Sequence, residues 1–179
     1  VHTVAFDKTG TLTQGRLSVS DVLPFDGNLT AEELLALAAS AESRSEHPLG
    51  RAVVAWAKEK GISLTEPDAF HMAAGKGVIA EGSGRVLLCG NEKLLTEKGV
   101  GINEAVRAAL KRFQARGKAS ILVAEGVRCI GVIALSDTLR PEARSVISRL
   151  TGMGTQTILL TGDSKGAADS FARKVGITD

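Results

Sequence analysis

The sequence predicts an α/β fold in which a parallel sheet, built from both ends of the chain, carries an inserted α+β unit. Two short apolar runs, residues 4–6 and 157–160, each end in a polar, turn-rich loop, as buried strands of a parallel sheet do. Apolar residues at helical spacing over 141–152 and about 166–175 flank the second run and supply the crossover helices. Residues 1–15 and 132–179 are therefore predicted to form the sheet domain, with 16–131 as the inserted domain.

The inserted domain is predicted to be built on an antiparallel sheet. Thr30 with Glu33 makes a capping-box pattern that begins its first helix. Gly-Ser-Gly at 82–84 joins two strand-like runs and indicates a hairpin. After the first helix, the predicted elements are a helix over 47–61, strands at 77–81 and 85–89, a helix over about 103–116, and strands at 120–124 and 129–135.

The composition of the 179 residues is that of a globular protein with a substantial core, since 44% are hydrophobic and 23% are charged. Lys plus Arg (22) nearly balance Asp plus Glu (20), without a basic run, which excludes nucleic acid as the expected partner. No apolar stretch approaches the roughly 20 residues of a membrane-spanning helix, and the opening residues lack a signal-peptide pattern. Cys89 and Cys129 form no metal-binding or disulfide pattern, which favours a reducing, cytosolic environment.

Two aspartates follow the predicted parallel strands, Asp7 directly after the first and Asp163 soon after the second. Ligands of open α/β sheets bind at the carboxyl ends of the strands, so both carboxylates are expected to face one crevice. With Lys8, nearby hydroxyls and glycine amides, they suit a site for Mg²⁺ and phosphate in which a carboxylate acts as nucleophile. The alternative from spacing alone is that both aspartates only cap turns.

The segment Asp-Lys-Thr-Gly-Thr-Leu-Thr at 7–13 resembles the phosphorylation motif of P-type ATPases at all seven positions. These enzymes belong to the haloacid dehalogenase superfamily, whose second motif resembles residues 161–163, and residues 137–140 resemble the family's hinge segment. The resemblance implies a Rossmann-like sheet domain with ATP and Mg²⁺ as ligands. The implied roles are nucleophilic attack on the γ-phosphate by Asp7, charge neutralisation by Lys8 and Mg²⁺, metal binding by Asp7 and the Thr9 carbonyl, and positioning of the phosphate by Thr161, Gly162 and Asp163.

Thr9 occupies the position at which phosphatases of the superfamily carry a second aspartate as general acid and base. Without an acid–base group there, attack of water on a phosphorylated Asp7 is expected to be slow. A long-lived phosphoenzyme suits an ion pump, which changes conformation before hydrolysis. A soluble phosphatase with a large cap domain and a non-catalytic nucleotide-binding module are the alternatives, and both fit these motifs less well.

The inserted domain resembles the nucleotide-binding domain of heavy-metal-transporting P-type ATPases. Ser-Glu-His-Pro-Leu at 45–49 matches their His-Pro signature, and Glu42 precedes the histidine by five residues, as in that group. Taken singly, each residue of this pattern has an ordinary structural explanation as a helix cap, a solvated side chain or a turn former. The resemblance implies that Glu42 and His47 contact adenine, that Gly75 and Gly77 let the backbone approach the nucleotide, and that Gly90 and Asn91 form a further nucleotide-site pair.

The resemblance further implies that the chain is the cytoplasmic catalytic unit of a longer membrane protein that moves a heavy-metal cation. An actuator domain, membrane helices and a downstream acidic Mg²⁺ ligand of the family are not recognisable in residues 1–179. We therefore expect ATP binding but weak phosphorylation of Asp7. The transported metal is not encoded in these residues, although 133–140 resemble zinc, cadmium and lead exporters slightly more than copper exporters.

Overall fold

The computed structural model describes residues 2–177, which form one parallel and one antiparallel sheet. A wide turn over Lys8–Leu12 follows the first strand. No helix in this part of the chain is both long and apolar enough to span a membrane. The strands are β1 (Thr3–Asp7), β2 (Thr13–Pro24), β3 (Ala69–Ala73), β4 (Gly77–Gly82), β5 (Arg85–Gly90), β6 (Ala119–Glu125), β7 (Arg128–Leu139) and β8 (Gln156–Leu160), and the helices are α1 (Ala31–Ala41), α2 (Pro48–Glu59), α3 (Glu92–Glu97), α4 (Glu104–Ala115), α5 (Ala143–Gly152) and α6 (Lys165–Val175).

The parallel sheet pairs β1 with β8, so its two strands come from opposite ends of the sequence. The register places Asp7 beside Leu160, and both strands therefore end at the same level. The predicted α/β unit with a parallel sheet is confirmed, while α5 begins at Ala143, two residues later than predicted. The buried core of this unit, which α5 and α6 share with the turn after β1, consists of Leu12, Ala143, Ile147, Val175 and Ile177.

The antiparallel sheet has six strands in the order β2–β7–β6–β5–β4–β3, with helices on both faces. Along β7, Ile133 and Leu135 pack in the core with α1 and α2, whereas Val132 and Ala134 pack in the core with α3 and α4. Successive side chains of a strand point to opposite faces, so burial of both faces explains why β6 and β7 are nearly continuous apolar runs. The predicted α+β unit on an antiparallel sheet is confirmed.

Capping and turn residues in the sequence predicted two local features of this unit correctly. The Thr30 hydroxyl oxygen accepts the Glu33 amide at 3.2 Å, and the Glu33 carboxylate accepts the Thr30 amide at 2.8 Å, which completes the capping box of α1. β4 and β5 form the predicted hairpin through Ser83 and Gly84, both with positive φ as a tight two-residue turn requires.

Three elements are absent from the sequence-based prediction, namely β2, β3 and the short α3. The longest, β2, pairs along β7, which continues to Leu139 instead of ending at residue 135. Register irregularities between Thr13 and Leu17 and between Val19 and Asp21 interrupt the alternation of β2 and hide its strand pattern. The predicted boundaries after residues 15 and 131 both fall within this strand pair, and the division into domains stays a prediction.

Candidate active site

Asp7 stands at the carboxyl end of β1 with its side chain exposed. Within residues 2–177 its carboxylate has no hydrogen bond or ion pair, so both oxygens are available to a ligand. The chain then turns back through Lys8–Leu12, a turn closed by the Thr13 amide, which donates to the Lys8 carbonyl. A strand end that leads into this wide turn therefore presents one free carboxylate at the edge of the sheet.

Residues 137–140, at the end of β7, brace the turn that follows Asp7. The Thr13 hydroxyl donates to Asp137 Oδ2 at 2.5 Å, and the Arg16 amide donates to Oδ1 at 2.9 Å. The Arg140 guanidinium donates to the Gly10 carbonyl at 3.1 Å. The segment that resembles a hinge is therefore hydrogen-bonded to the loop that carries Asp7.

The loop after β8 lies beside Asp7, because β1 and β8 end at the same level. The Lys8 ammonium forms an ion pair with the Asp163 carboxylate, and the Thr161 hydroxyl oxygen accepts the Asp163 amide at 3.1 Å. Gly162 lies on the open side of this loop, where no atom comes within 4 Å of a Cβ placed there. The two loops thus bring together the predicted catalytic residues, which we call the Asp7 edge: Asp7, Lys8, Thr9, Thr161, Gly162 and Asp163.

The Asp7 edge suits Mg²⁺ by the chemistry of its oxygens. The Asp7 carboxylate and the Thr9 carbonyl are the hard oxygen donors that Mg²⁺ prefers. Residues 2–177 contain no cluster of three or more His, Cys, Asp or Glu side chains able to enclose a metal. Mg²⁺ commonly keeps several waters and binds through substrate phosphates, so one or two protein ligands are compatible with such a site.

A second region, a pocket of about 200 Å³ in the inserted unit, gathers the residues predicted to bind a nucleotide. We call it the His47 pocket. Four separate stretches of sequence contribute to its lining, within 42–49, 72–78, 89–91 and 120–121. All six predicted residues are among the lining residues, namely Glu42, His47, Gly75, Gly77, Gly90 and Asn91.

His47 caps the start of α2 and keeps one ring nitrogen free. Its Nδ1 accepts the Leu49 amide at 3.2 Å, which satisfies one of the unpaired amides at the start of the helix. Because Nδ1 is the acceptor, the neutral ring carries its proton on Nε2. The exposed imidazole therefore offers the His47 pocket an N–H donor of fixed orientation.

Glu42, at the end of α1, is the buried acidic group of the same pocket. The residue is only 4% exposed, and its Oε2 has no hydrogen-bond partner among residues 2–177. Burial raises the pKa of Glu42 to about 7, although the Ser45 hydroxyl acts in the opposite direction. A carboxyl group with such a pKa in a pocket is a candidate functional group.

Gly77 and Asn91 also have structural roles that the sequence did not reveal. A Cβ on Gly77 would lie 2.1 Å from the Cys89 carbonyl oxygen, so contact between β4 and β5 requires a glycine there. The side-chain NH₂ group of Asn91 donates to the Gly75 carbonyl at 3.0 Å. The Oδ1 of the same side chain accepts the backbone N–H of Leu94 at 3.0 Å, which caps α3. These residues shape the wall of the His47 pocket, and the close approach of a nucleotide to Gly75 and Gly77 stays a prediction.

The pocket contains further residues that the sequence reasoning missed. Met72 on β3 is 55% exposed and pairs in register with Val78 on β4, whereas Ile121, also in the lining, is buried. Lys76 also lines the pocket, with its ammonium 2.7 Å from a carboxylate oxygen of Glu97. No sequence signal indicated Met72, because β3 is only five residues long and its exposure does not alternate along the strand.

The start of β6 connects the two regions. Ser120 lines the His47 pocket, whereas Gly117 lies against the Asp7 edge. A Cβ on Gly117 would be 3.6 Å from Asp163 Oδ2 and 3.9 Å from Lys8 Nζ. The Cα atoms of Gly117 and Ser120 are at most about 10 Å apart, because three residues of chain can span no more.

Comparison with known proteins identifies the family of the chain. The model of the haloacid dehalogenase-like hydrolase family matches residues 1–179, and the chain belongs to that family. Over 177 residues, 99% of the chain, it is 41% identical to the "Probable copper-exporting P-type ATPase" of Archaeoglobus fulgidus, of which the matched region makes up 21%. The chain thus spans about a fifth of the length of the curated relatives it matches.

Two solved structures show the same arrangement of elements. A zinc-transporting PIB-type ATPase in its E2.Pi state superposes with a TM-score of 0.87 at 33% identity, covering 99% of this chain and 28% of that one. The catalytic domain of the CPx-ATPase CopB-B superposes with a TM-score of 0.66 at 26% identity, covering all of this chain and 60% of that one. The predicted resemblance to heavy-metal-transporting P-type ATPases is confirmed.

Proposed function

We propose that this chain is the ATP-binding and phosphorylation unit of a P-type ATPase that transports a heavy-metal cation. The observation that carries the proposal is the position of the His47 pocket and the Asp7 edge at the two ends of residues 117–120. The names of the relatives support a metal cation as cargo, and both copper and zinc occur among them. The unit acts on the cytoplasmic side of a membrane, where ATP is available.

The adenine of ATP occupies the His47 pocket. The Nε2–H of His47 donates a hydrogen bond to a ring nitrogen of the base, because Nδ1 is held by the Leu49 amide. The exposed Met72 provides apolar contact for one face of the purine ring. The triphosphate then extends past Gly117 toward Lys8 at the Asp7 edge.

At the Asp7 edge, an Asp7 carboxylate oxygen attacks the γ-phosphorus of ATP. The new bond from Asp7 to phosphorus forms as the bond to the β-phosphate oxygen breaks, and ADP leaves. The Lys8 ammonium, oriented by Asp163, neutralises charge on the phosphoryl oxygens. The Asp7 carboxylate and the Thr9 carbonyl would hold Mg²⁺, which when bound would supply further charge neutralisation.

The phosphorylated aspartate persists because Thr9 provides no general base near it. A hydroxyl at this position cannot take a proton from an attacking water at neutral pH as a carboxylate does. The chain therefore separates phosphoryl transfer from hydrolysis. In the whole ATPase, that delay lets phosphorylation drive transport of the metal cation.

Calorimetric titration with ATP and with GTP tests the assignment of the pocket. We expect saturable binding that favours ATP, and about tenfold or greater weakening in His47→Ala, since a donor to the base is lost. His71→Ala is the matched control, because His71 is an exposed histidine of β3 that does not line the pocket. A folded wild-type chain that binds no ATP would overturn the proposal, and hydrolysis of small phosphoesters would then indicate a phosphatase.

A further inference from the structure

Glu42 is enclosed in a way that disfavours a negative charge. Its Oε2 is packed so closely that a Cβ on Gly50 would lie 2.2 Å away, and no group donates a hydrogen bond to it. An ionised carboxylate oxygen without a donor is costly to bury, whereas a neutral carboxyl group is far less so. The packing of α2 against the end of α1 therefore stabilises the protonated form of Glu42.

No cation in the surroundings compensates for a charge on Glu42. Lys76 on the β3–β4 turn is engaged by Glu97, and Arg44 is engaged by Glu66. Burial, together with electrostatic repulsion from Glu42, raises the pKa of the Cys89 thiol well above its ordinary value. The neighbouring Cys89 thiol therefore stays neutral. Within residues 2–177, Glu42 forms no ion pair with any of the titratable or charged groups around it. These groups are Arg44 and Glu46 of the loop after α1, His47 at the N-cap of α2, Arg51 and Lys58 of α2, Lys76 of the β3–β4 turn, and Cys89 of β5.

The protonation state of a carboxyl group determines which purine it fits. Because Oε2 is enclosed against Gly50, Oε1 is the oxygen left to meet the base, and in the neutral acid its O–H donates to the acceptor N1 of adenine. An ionised Oε1 can only accept, which suits the N1–H donor of guanine instead. Leaving one of these groups unpaired in a buried site discriminates strongly against the wrong base.

We propose that Glu42 binds adenine as the neutral acid, so that ATP binding near neutral pH is coupled to uptake of one proton. The proposal rests on the proposed nucleotide site and adds to it a determinant of base selectivity. The proton comes from solvent, stays on the Glu42 carboxyl group and hydrogen-bonds to the adenine ring. The preference of the chain for ATP over GTP therefore decreases as pH rises.

Titrations of the 179-residue chain with ATP at pH 6, 7 and 8 test the coupling. Burial raises the pKa of Glu42 to about 7, so the ratio of wild-type Kd to Glu42→Gln Kd should rise about tenfold from pH 6 to pH 8. Glutamine keeps the shape and stays neutral, and the ratio cancels any pH dependence that the two chains share. At pH 7, calorimetry in buffers of different ionisation enthalpy should show about half a proton more uptake by the wild type.

Glu46→Gln is the control, since it removes one carboxylate from an exposed position four residues away and should behave as the wild type. Equal pH profiles in the wild type and Glu42→Gln, with both binding ATP, would overturn the coupling and leave the nucleotide site intact. Absence of ATP binding at every pH would overturn both. Carbon-13 NMR of the Glu42 carboxyl group in the wild type is independent of the variant: its titration midpoint should rise when ATP is added, and a fall would contradict the proposal.

Discussion

The Asp7 edge and the His47 pocket present their functional groups in opposite ways. At the edge, the Asp7 carboxylate is exposed and unpaired within residues 2–177, whereas Glu42 in the pocket is 4% exposed and packed against Gly50. The Asp7 edge consists of two loops, each a continuous stretch of sequence, whereas the His47 pocket is assembled from four separate stretches. Residues at the edge are thus free for chemistry, and residues of the pocket also hold the fold together.

The largest expected effect separates chemistry from binding. Asp7→Asn removes the nucleophile, so acid-stable labelling of the chain by γ-labelled ATP, already expected to be weak, should fall by at least about 1,000-fold. ATP affinity in the same variant should not weaken, because Asp7 is remote from the base and loses a like charge beside the triphosphate. Labelling that survives in Asp7→Asn would place the phosphoryl group on another residue and would contradict the assignment of the chemistry to the Asp7 edge.

Substitution of Glu42 in the His47 pocket should instead change the free energy of unfolding, by an amount that depends on pH. Burial raises the folded-state pKa of Glu42 from 4.5 to about 7. The contribution of the protonated Glu42 to the free energy of unfolding is therefore fully present below pH 4.5 and is lost as pH rises to about 7. Between pH 4.5 and pH 8 the wild type should lose about 3 kcal/mol of unfolding free energy relative to Glu42→Gln. Urea denaturation at both pH values measures this, and parallel curves for the two chains would show that Glu42 titrates normally.

Paired glycine substitutions test whether Gly77 is structural. A Cβ at Gly77 would lie 2.1 Å from the Cys89 carbonyl oxygen, whereas one at Gly75 would meet no atom within 4 Å. Gly75 has a φ of +68°, in the left-handed helical region, whereas the φ of +141° at Gly77 is restricted to glycine, so backbone strain adds to the steric clash at Gly77. Gly77→Ala should cost about 2 kcal/mol more unfolding free energy than Gly75→Ala in urea denaturation. Similar costs would mean that β4 and β5 adapt to the added carbon.

The smallest expected effect concerns the turn that joins the two regions. Gly117 and Gly61 have φ of +69° and +72°, but only at Gly117 would a Cβ meet a neighbour, Ala167 Cβ at 3.1 Å. Gly117→Ala should therefore cost up to about 1 kcal/mol more than Gly61→Ala, and it should slow labelling of Asp7 where Gly61→Ala does not. Identical behaviour of the two variants would show that this contact does not position the Asp7 edge.

The two regions also differ in how far their residues could be predicted from the sequence. The Asp7 edge was predicted as a group because its motifs are contiguous and follow strand ends, a rule that depends on topology alone. The lining of the His47 pocket was predicted in part, but not Met72, because β3 was not recognised. The hydrogen bonds of Asn91 and the enclosure of Glu42 by Gly50 depend on tertiary packing, which no local pattern encodes.

The missed strand β2 has a similar explanation. It lies at the edge of the six-stranded sheet, contains Gly15 and several polar residues, and is interrupted twice in its register with β7. Irregularities of this kind move the side chains that follow to the other face of the sheet, so the alternation of apolar and polar residues along the strand is lost. The role of Asp137, which accepts hydrogen bonds from Thr13 and Arg16 across this pair, was hidden for the same reason.

The most direct test of the central claim is whether one ATP molecule contacts both regions at once. In amide NMR spectra of the labelled chain, adenosine should shift the signals of Gly77 and Ser120 in the His47 pocket and leave the Asp7 edge unchanged. ATP with Mg²⁺ should shift those signals and also the signals of Gly117 and Gly162. ATP-induced shifts confined to one region would contradict a single site that extends from the pocket to Asp7.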